Sequence, residues 1–390
     1  MGLATGVMQG RTNNSQRTKY PWRLSLAVAC GLALWGTVPC AGTHPTPEWN
    51  PTLGPPAGAK YVGDAVCAEC HVAEAKNFSA TPMEQAGEWA RDAAILKGHP
   101  KLTFRWGPYN YRIIRQKNES TYSVSEGKRT ISVPILWAFG RGEAGQTYLF
   151  RYQGAYYQSM VSFYNDTQRL DITLGAPRRL PLSLALALGA RLTEQGTRLC
   201  IACHTTGALI GGQFHPRQAV PGVHCEACHG PGGAHLAALQ AGNITQAKRA
   251  IFNPGKLSAG RLDDFCGNCH RSWMKVELMG VRGVRNVRFQ PYRLELSHCW
   301  SPTDPRISCL ACHNPHQPLE TSEAFYDSKC LACHLVKGQL PNAQHPGRAC
   351  PVSTSHCIAC HMPKYQLPGG HFAFTDHDIR IVKPGAPYPG

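Results

Sequence analysis

Between residues 101 and 165, apolar and aromatic side chains alternate with polar ones in short bursts. LTFRW, YNYRIIRQ, TYSVSE, RTISVPILWAFG and TYLFRYQGAYYQSMVSFY are rich in β-branched and aromatic residues and are separated by turn residues. A period of two with such breaks predicts an antiparallel sheet over 101–165. Elsewhere the pattern is helical and interrupted. It predicts helices at Ala65–Asn77, at Met83–Lys97 behind Thr81-Pro82, at Pro181–Glu194, and short ones at Ala234–Ala241 and Ile244–Ile251. One run differs: Leu24 to Val38 is apolar, follows a basic stretch ending at Arg23, and precedes the small residues Cys40, Ala41 and Gly42. That order reads as an export signal over 1–42. The alternative is an uncleaved leader associated with the membrane.

Composition explains the interruptions. Gly and Pro make up 69 of 390 residues, so loops and turns should outnumber long elements. The stretch THPTPEWNPTLGPPAGA, residues 43–59, reads as a Pro-rich linker. A chain so short of long elements needs another source of core, and its cysteines supply one.

Fourteen of the 18 cysteines fall in seven copies of Cys-x-x-Cys-His. The copies are Cys67/Cys70/His71, Cys200/Cys203/His204, Cys225/Cys228/His229, Cys266/Cys269/His270, Cys309/Cys312/His313, Cys330/Cys333/His334 and Cys357/Cys360/His361. Chance alone would give roughly 0.04 copies. The pattern is that of covalent c-type haem attachment: two thiols bind the porphyrin vinyls and the adjacent imidazole becomes the proximal iron ligand. Zinc sites do not need a His after every second Cys, and a thioredoxin-like redox pair would be single. The reading is seven covalently attached haems, each an apolar plate that short loops can pack against.

The formal charge of +16 then loses its obvious meaning. Seven haems bring propionates worth roughly −14. Losing Arg11, Arg17, Lys19 and Arg23 with the leader takes +16 to +12. The basic residues are read as propionate partners rather than as a nucleic-acid surface.

A low-spin electron carrier needs a second axial ligand on each iron. His235 in CHGPGGAH and His316 in CHNPH lie too few residues past a proximal His to reach the opposite face of the same haem. They are expected to ligate a neighbouring haem. His371 and His377, after the last motif, are further distal candidates, and His298, His345 and His356 complete the set; His224 and His215 are weaker. For the isolated first motif the sequence-local options are Met83 and His99. Beyond the leader, Cys299 and Cys350 remain without a haem and are expected to form a disulfide outside the cytoplasm.

Several of these segments resemble a known family. YVGDAVCAECH, GVHCEACHGPGGAH, RFQPYRLELSHCWSPTDPRISCLACHNPH, YDSKCLACH, CIACHMPK and HFAFTDHDIRI are similar to exported bacterial multihaem cytochromes with a cytochrome c-552/4-type domain and doubled CxxCH motifs. These belong to the superfamily of the tetrahaem cytochrome that partners hydroxylamine oxidoreductase. The resemblance covers roughly residues 60–383 and implies mostly bis-His haems, stacked in parallel or perpendicular pairs, that pass electrons. It also implies that the His of CHGPG-x-x-H, here His235, is a distal ligand. The β-rich insert departs from the small tetrahaem members.

The expected fold is therefore a multihaem cytochrome c: mostly short helices and loops packed around haems, with an antiparallel β-rich insert. The expected order is a signal peptide (1–42), the linker (43–59), a single-haem segment (60–100), the insert (101–180) and a six-haem domain (181–383). The expected function is electron transfer in the periplasm or another extracytoplasmic space. Its partners would be redox proteins, a membrane quinol oxidoreductase or a terminal reductase. The alternative is a reductase or oxidoreductase of small nitrogen or sulfur compounds with one open haem.

Overall fold

The computed structural model describes residues 49–334, 350–383 and 385–389. The leader, the first part of the linker and His345 lie outside the described residues.

Nine antiparallel strands form the largest element: β1 (Gly87–Trp89), β2 (Lys101–Trp106), β3 (Tyr109–Gln116), β4 (Glu119–Glu126), β5 (Arg129–Phe139), β6 (Gln146–Tyr152), β7 (Ala155–Tyr164), β8 (Arg169–Ile172) and β9 (Gly189–Arg191). The main path runs in sequence order from β2 to β8, with β1 on β5 and β9 on β7. β8 approaches β2, so the sheet nearly closes on itself. Alternation fills the inside: Tyr111, Ile113, Tyr122, Val124, Tyr148 and Phe150 are fully buried. A short helix, Leu184–Leu188, packs on this core, and the Leu188 carbonyl accepts the Tyr122 hydroxyl at 3.0 Å.

The sheet is larger than the pattern predicts. The run Met83–Lys97, expected as a helix, gives a single turn at Glu84–Ala86, then β1, then a helix at Ala94–Gly98. Gly87 breaks the run for a packing reason: a Cβ there would lie 2.3 Å from the His204 carbonyl oxygen. The helix expected over Pro181–Glu194 keeps one turn and a half, then Gly189 enters β9 at φ 144°. The predicted Ala65–Asn77 helix is split at His71 into Asp64–Ala68 and Val72–Ala75.

Two irregularities couple the sheet to the rest of the chain. The register shifts between Ile135 and Trp137 on β5, and between Thr147 and Leu149 on β6. On β5 the shift is by one residue and sends the side chains after Ile135 to the other face. Ile135, Tyr148 and Phe150 stay in the inner core, whereas Trp137, Phe139 and Leu149 point into a second cluster with Ile201, Ala208 and Ala219. That second cluster carries the second Cys-x-x-Cys-His motif.

Beyond the sheet the helices fall into two lengths. Motifs two, four and six end longer helices: Glu194–His204 of 11 residues, and Ala259–His270 and Glu323–His334 of 12 each. The other motifs sit on single turns, Cys225–His229, Cys309–Cys312 and Cys357–His361, with the first on Asp64–Ala68. The longer three exceed the short helices expected here, because EQGTRLC, AGRLDDFC and EAFYDSKC contain no proline and at most one glycine. No helix among the described residues is long and apolar enough to cross a membrane.

Candidate haem-binding centres

Each motif ends a helix or turn, which brings both cysteines to one side of the backbone and the histidine next to them. The imidazoles are then oriented from behind. His204 Nδ1 lies 2.8 Å from the Ala86 carbonyl oxygen, His229 Nδ1 2.9 Å from that of Phe252, and His361 Nδ1 3.0 Å from that of Arg380. Three histidines outside the motifs share the Nδ1 contact: His235 Nδ1 is 2.8 Å from the Ala247 oxygen, His377 Nδ1 3.0 Å from the Thr375 oxygen and His99 Nδ1 3.0 Å from the Ile95 oxygen, but His99 Nε2 is taken by Gln168. A carbonyl partner fixes the tautomer with the proton on Nδ1, leaving Nε2 as a ligand atom. Burial also keeps several rings neutral, pushing His204, His270 and His313 down and His377 down to about 4.

The thiols of the motifs do not all share one environment, as seven equivalent haem seats would require. Twelve of the fourteen attachment cysteines are partly buried, but Cys70 and Cys360 are exposed. The reason is local. Cys360 lies on the single turn Cys357–His361, and Cys70 lies two residues past the helix Asp64–Ala68; neither element has a buried residue. Protein packs against the first cysteine of motifs one and seven and leaves the second exposed.

Three pairs of imidazoles face each other. His71 and His235 have ring centroids 6.4 Å apart, His229 and His316 6.0 Å, and His313 and His377 6.3 Å. A ligating imidazole nitrogen lies about 2 Å from its metal, as at zinc, and the ring centroid a little over 1 Å beyond. Two such rings on opposite faces of one iron should thus sit about 6.3 Å apart. All three pairs match that spacing, and each joins one motif histidine to one non-motif histidine. The residues present fit haem.

His377 is held by an ion-pair cluster. Arg293 donates to Asp376 through Nε at 2.8 Å and Nη2 at 3.0 Å, and to Asp378 at 3.0 Å. Arg293 and Asp376 are both buried, and Arg380 adds a 2.6 Å bond to Asp376. The Ser297 hydroxyl donates to the His377 carbonyl and accepts from the Ile379 N–H. The segment 376–380 is thereby clamped to the helix Gln290–Leu294.

Other expected ligands are placed elsewhere. His371 pairs through Nε2 with Asp171 of β8 at 2.8 Å, its ring against Tyr164. His356 is exposed and pairs through Nδ1 with Glu323. His224 is bound on both nitrogens, to Asp64 at 2.6 Å and the Pro221 oxygen at 2.9 Å. His298 is exposed, near Asp378. The backbone N–H of His215 bonds Ala208. For the first motif, His99 is taken up by Ile95 and Gln168, and it is His235, not Met83 or His99, that faces His71. The expected Cys299–Cys350 disulfide is not formed: both thiols are free. Cys299 is partly buried, with Cys333 and Cys312 as neighbours, whereas Cys350 is exposed.

The motifs form an unbroken series of neighbours. Side-chain contact joins Cys67 to Cys225, Cys203 to Cys269, Cys266 to Cys309, and Cys330 to Cys357. Cys228 neighbours Cys266 and Cys269, and Cys312 neighbours Cys330. The order in space is therefore one, three, four, five, six, seven, with motif two branching from motif four. Motif two is also where the sheet arrives, because Phe139 stacks on His204 at 4.7 Å with planes 12° apart.

The family model described as "Cytochrome c554 and c-prime" matches residues 184–230, which contain motifs two and three. A multihaem cytochrome named MtrA, from Shewanella baltica (strain OS185), is 25% identical over 37% of this chain. The chain spans about half of that relative, 54% of its length. No solved structure matches this chain. The repeated attachment motif, the imidazole geometry and these two likenesses together support a multihaem c-type cytochrome.

Proposed function

We propose that the protein is an extracytoplasmic heptahaem electron carrier whose haems are mostly bis-His. The observation that carries this reading is the continuous run of neighbouring motifs together with three opposed imidazole pairs at iron-spanning distance. Haem iron, when bound, supplies reversible one-electron chemistry. The chain's part is to hold the ligands and keep the sites adjacent. His235 closes the site of His71, His316 that of His229, and His377 that of His313. Each is supplied by a segment outside the motif it completes, so every closure also ties two parts of the chain together. Redox partners would be a membrane quinol oxidoreductase or a terminal reductase. An open, substrate-binding iron at the first motif has less to rest on, since His235 stands where a small ligand would bind. Intact mass of the exported protein tests the count: apoprotein plus seven haems is expected, and fewer overturns the reading.

A further inference from the structure

Three motifs carry an aspartate three positions before their first cysteine: Asp64, Asp263 and Asp327. All three carboxylates reach across to another motif. Asp64 accepts the backbone N–H of Cys225 at 3.1 Å. Asp327 accepts the N–H groups of Cys357 and His356, each at 2.8 Å. Asp263 accepts the Cys309 N–H and lies 3.0 Å from its sulfur, while its other oxygen takes the Trp300 indole N–H at 2.7 Å. Each recipient is the first cysteine of a different motif and opens its attachment helix. Unpaired N–H groups and the positive end of the helix dipole favour a carboxylate there.

These links coincide with the sulfur contacts Cys67–Cys225, Cys266–Cys309 and Cys330–Cys357. In the first pair the capping is mutual, since Glu226 accepts the N–H groups of Val62 and Gly63 ahead of the Asp64–Ala68 helix. Motif two has Thr197 at the equivalent position, and its hydroxyl stays within its own helix, on the Thr193 carbonyl. The receiving motifs three, five and seven have Gly222, Arg306 and Thr354 there. The aspartate thus separates donor from recipient motifs.

We propose that Asp64, Asp263 and Asp327 are pairing residues: each docks one haem-attachment helix on another, fixing motif one to three, four to five and six to seven, and the charges of Asp64 and Asp327 lower the potentials of their pairs. The inference rests on the haem-carrier reading above. A carboxylate near an iron favours the more positive, oxidised state, so losing its charge raises the potential. Hydrogen bonding outweighs burial at Asp64 and Asp327 and holds both carboxyls below their usual range, whereas burial pushes the Asp263 carboxyl up, so the effect on potential belongs to the first two alone.

Asp327→Asn in the full-length exported protein tests this. With seven haems loaded, a redox titration should show two of seven midpoints moved upward and five unchanged, with Asp327→Glu restoring them. Should the Asn variant load incompletely, peptide mass mapping should find the deficit on Cys357 and Cys360 with Cys330 and Cys333 occupied. A fully loaded variant with no midpoint moved, or all seven moved, overturns the pairing role. So does a deficit spread over several motifs. A wild type with fewer than seven haems counts instead against the carrier reading.

Discussion

His235 faces His71 with ring centroids 6.4 Å apart, although the two come from different attachment segments. His235 belongs to the helix Gly233–Gln240 just past motif three, and Ala247 fixes its ring. The relationship makes motifs one and three a single unit. His235→Ala should leave every haem attached, convert one low-spin iron to high-spin, and allow the reduced protein to bind one carbon monoxide. His99→Ala should do neither, because that ring is occupied by Ile95 and Gln168.

A similar loss should follow from a residue that touches no iron. Arg293→Met leaves Asp376 and Asp378 with Arg380 alone, and breaking a buried ion pair from one side costs up to about 3–5 kcal/mol. The segment around His377 should loosen, giving a lower denaturation midpoint and one added high-spin signal. A stability loss with an unchanged spin state would separate the clamp from the ligand.

The sheet offers a contrasting pair of tyrosines. The Tyr122 hydroxyl donates to the Leu188 carbonyl, whereas the equally buried Tyr148 hydroxyl has no hydrogen-bond partner among the described residues. Tyr122→Phe should cost about 1–2 kcal/mol by leaving a buried carbonyl unmet. Tyr148→Phe should be neutral or stabilising, because it removes an unsatisfied polar group. Thermal melts of the two variants check the sign.

The Asp64–His224 pair sets a pH window. Hydrogen bonding outweighs burial at both, lowering the Asp64 carboxyl and raising His224. The Asp64 contribution is present above the unfolded carboxylate value of about 3.9 and fades as pH falls through its lower folded value. The His224 contribution is present below the unfolded value of about 6.5 and is lost as pH rises through its higher folded value. The link between motifs one and three should be firmest between about pH 4 and 6.5. His224→Gln should therefore cost stability at pH 6 and progressively less at alkaline pH, read as thermal midpoints.

Much of this was legible in the chain, for stated reasons. Seven Cys-x-x-Cys-His copies are local in sequence, so spacing alone reveals them. Spacing does not reveal how each copy is covered: Cys360 and Cys70 are exposed while their counterparts in the other motifs are partly buried. The strands within 101–165 have a clean period of two, and β2 to β7 lie there. The extra strands β1 and β9 were not readable, because three-residue edges gain their structure from the neighbours they pair with. Which histidine meets which iron is a long-range question. His371 and His377 look equivalent in GGHFAFTDHDI, yet Asp171 captures the first and the Arg293 cluster positions the second. The pairing aspartates were missed, although Asp-x-x-Cys-x-x-Cys-His stands three times in the sequence. The signal was present, but its meaning depends on partners in other motifs.

In a carrier whose opposed imidazoles close the irons, low-temperature EPR of the oxidised, fully loaded protein reads that closure as spin state. Low-spin ferric signals are expected at least from the three irons closed by His235, His316 and His377, including the haem bound by Cys67 and Cys70. Fewer than three low-spin irons, or a high-spin first haem in the wild type, would contradict that closure.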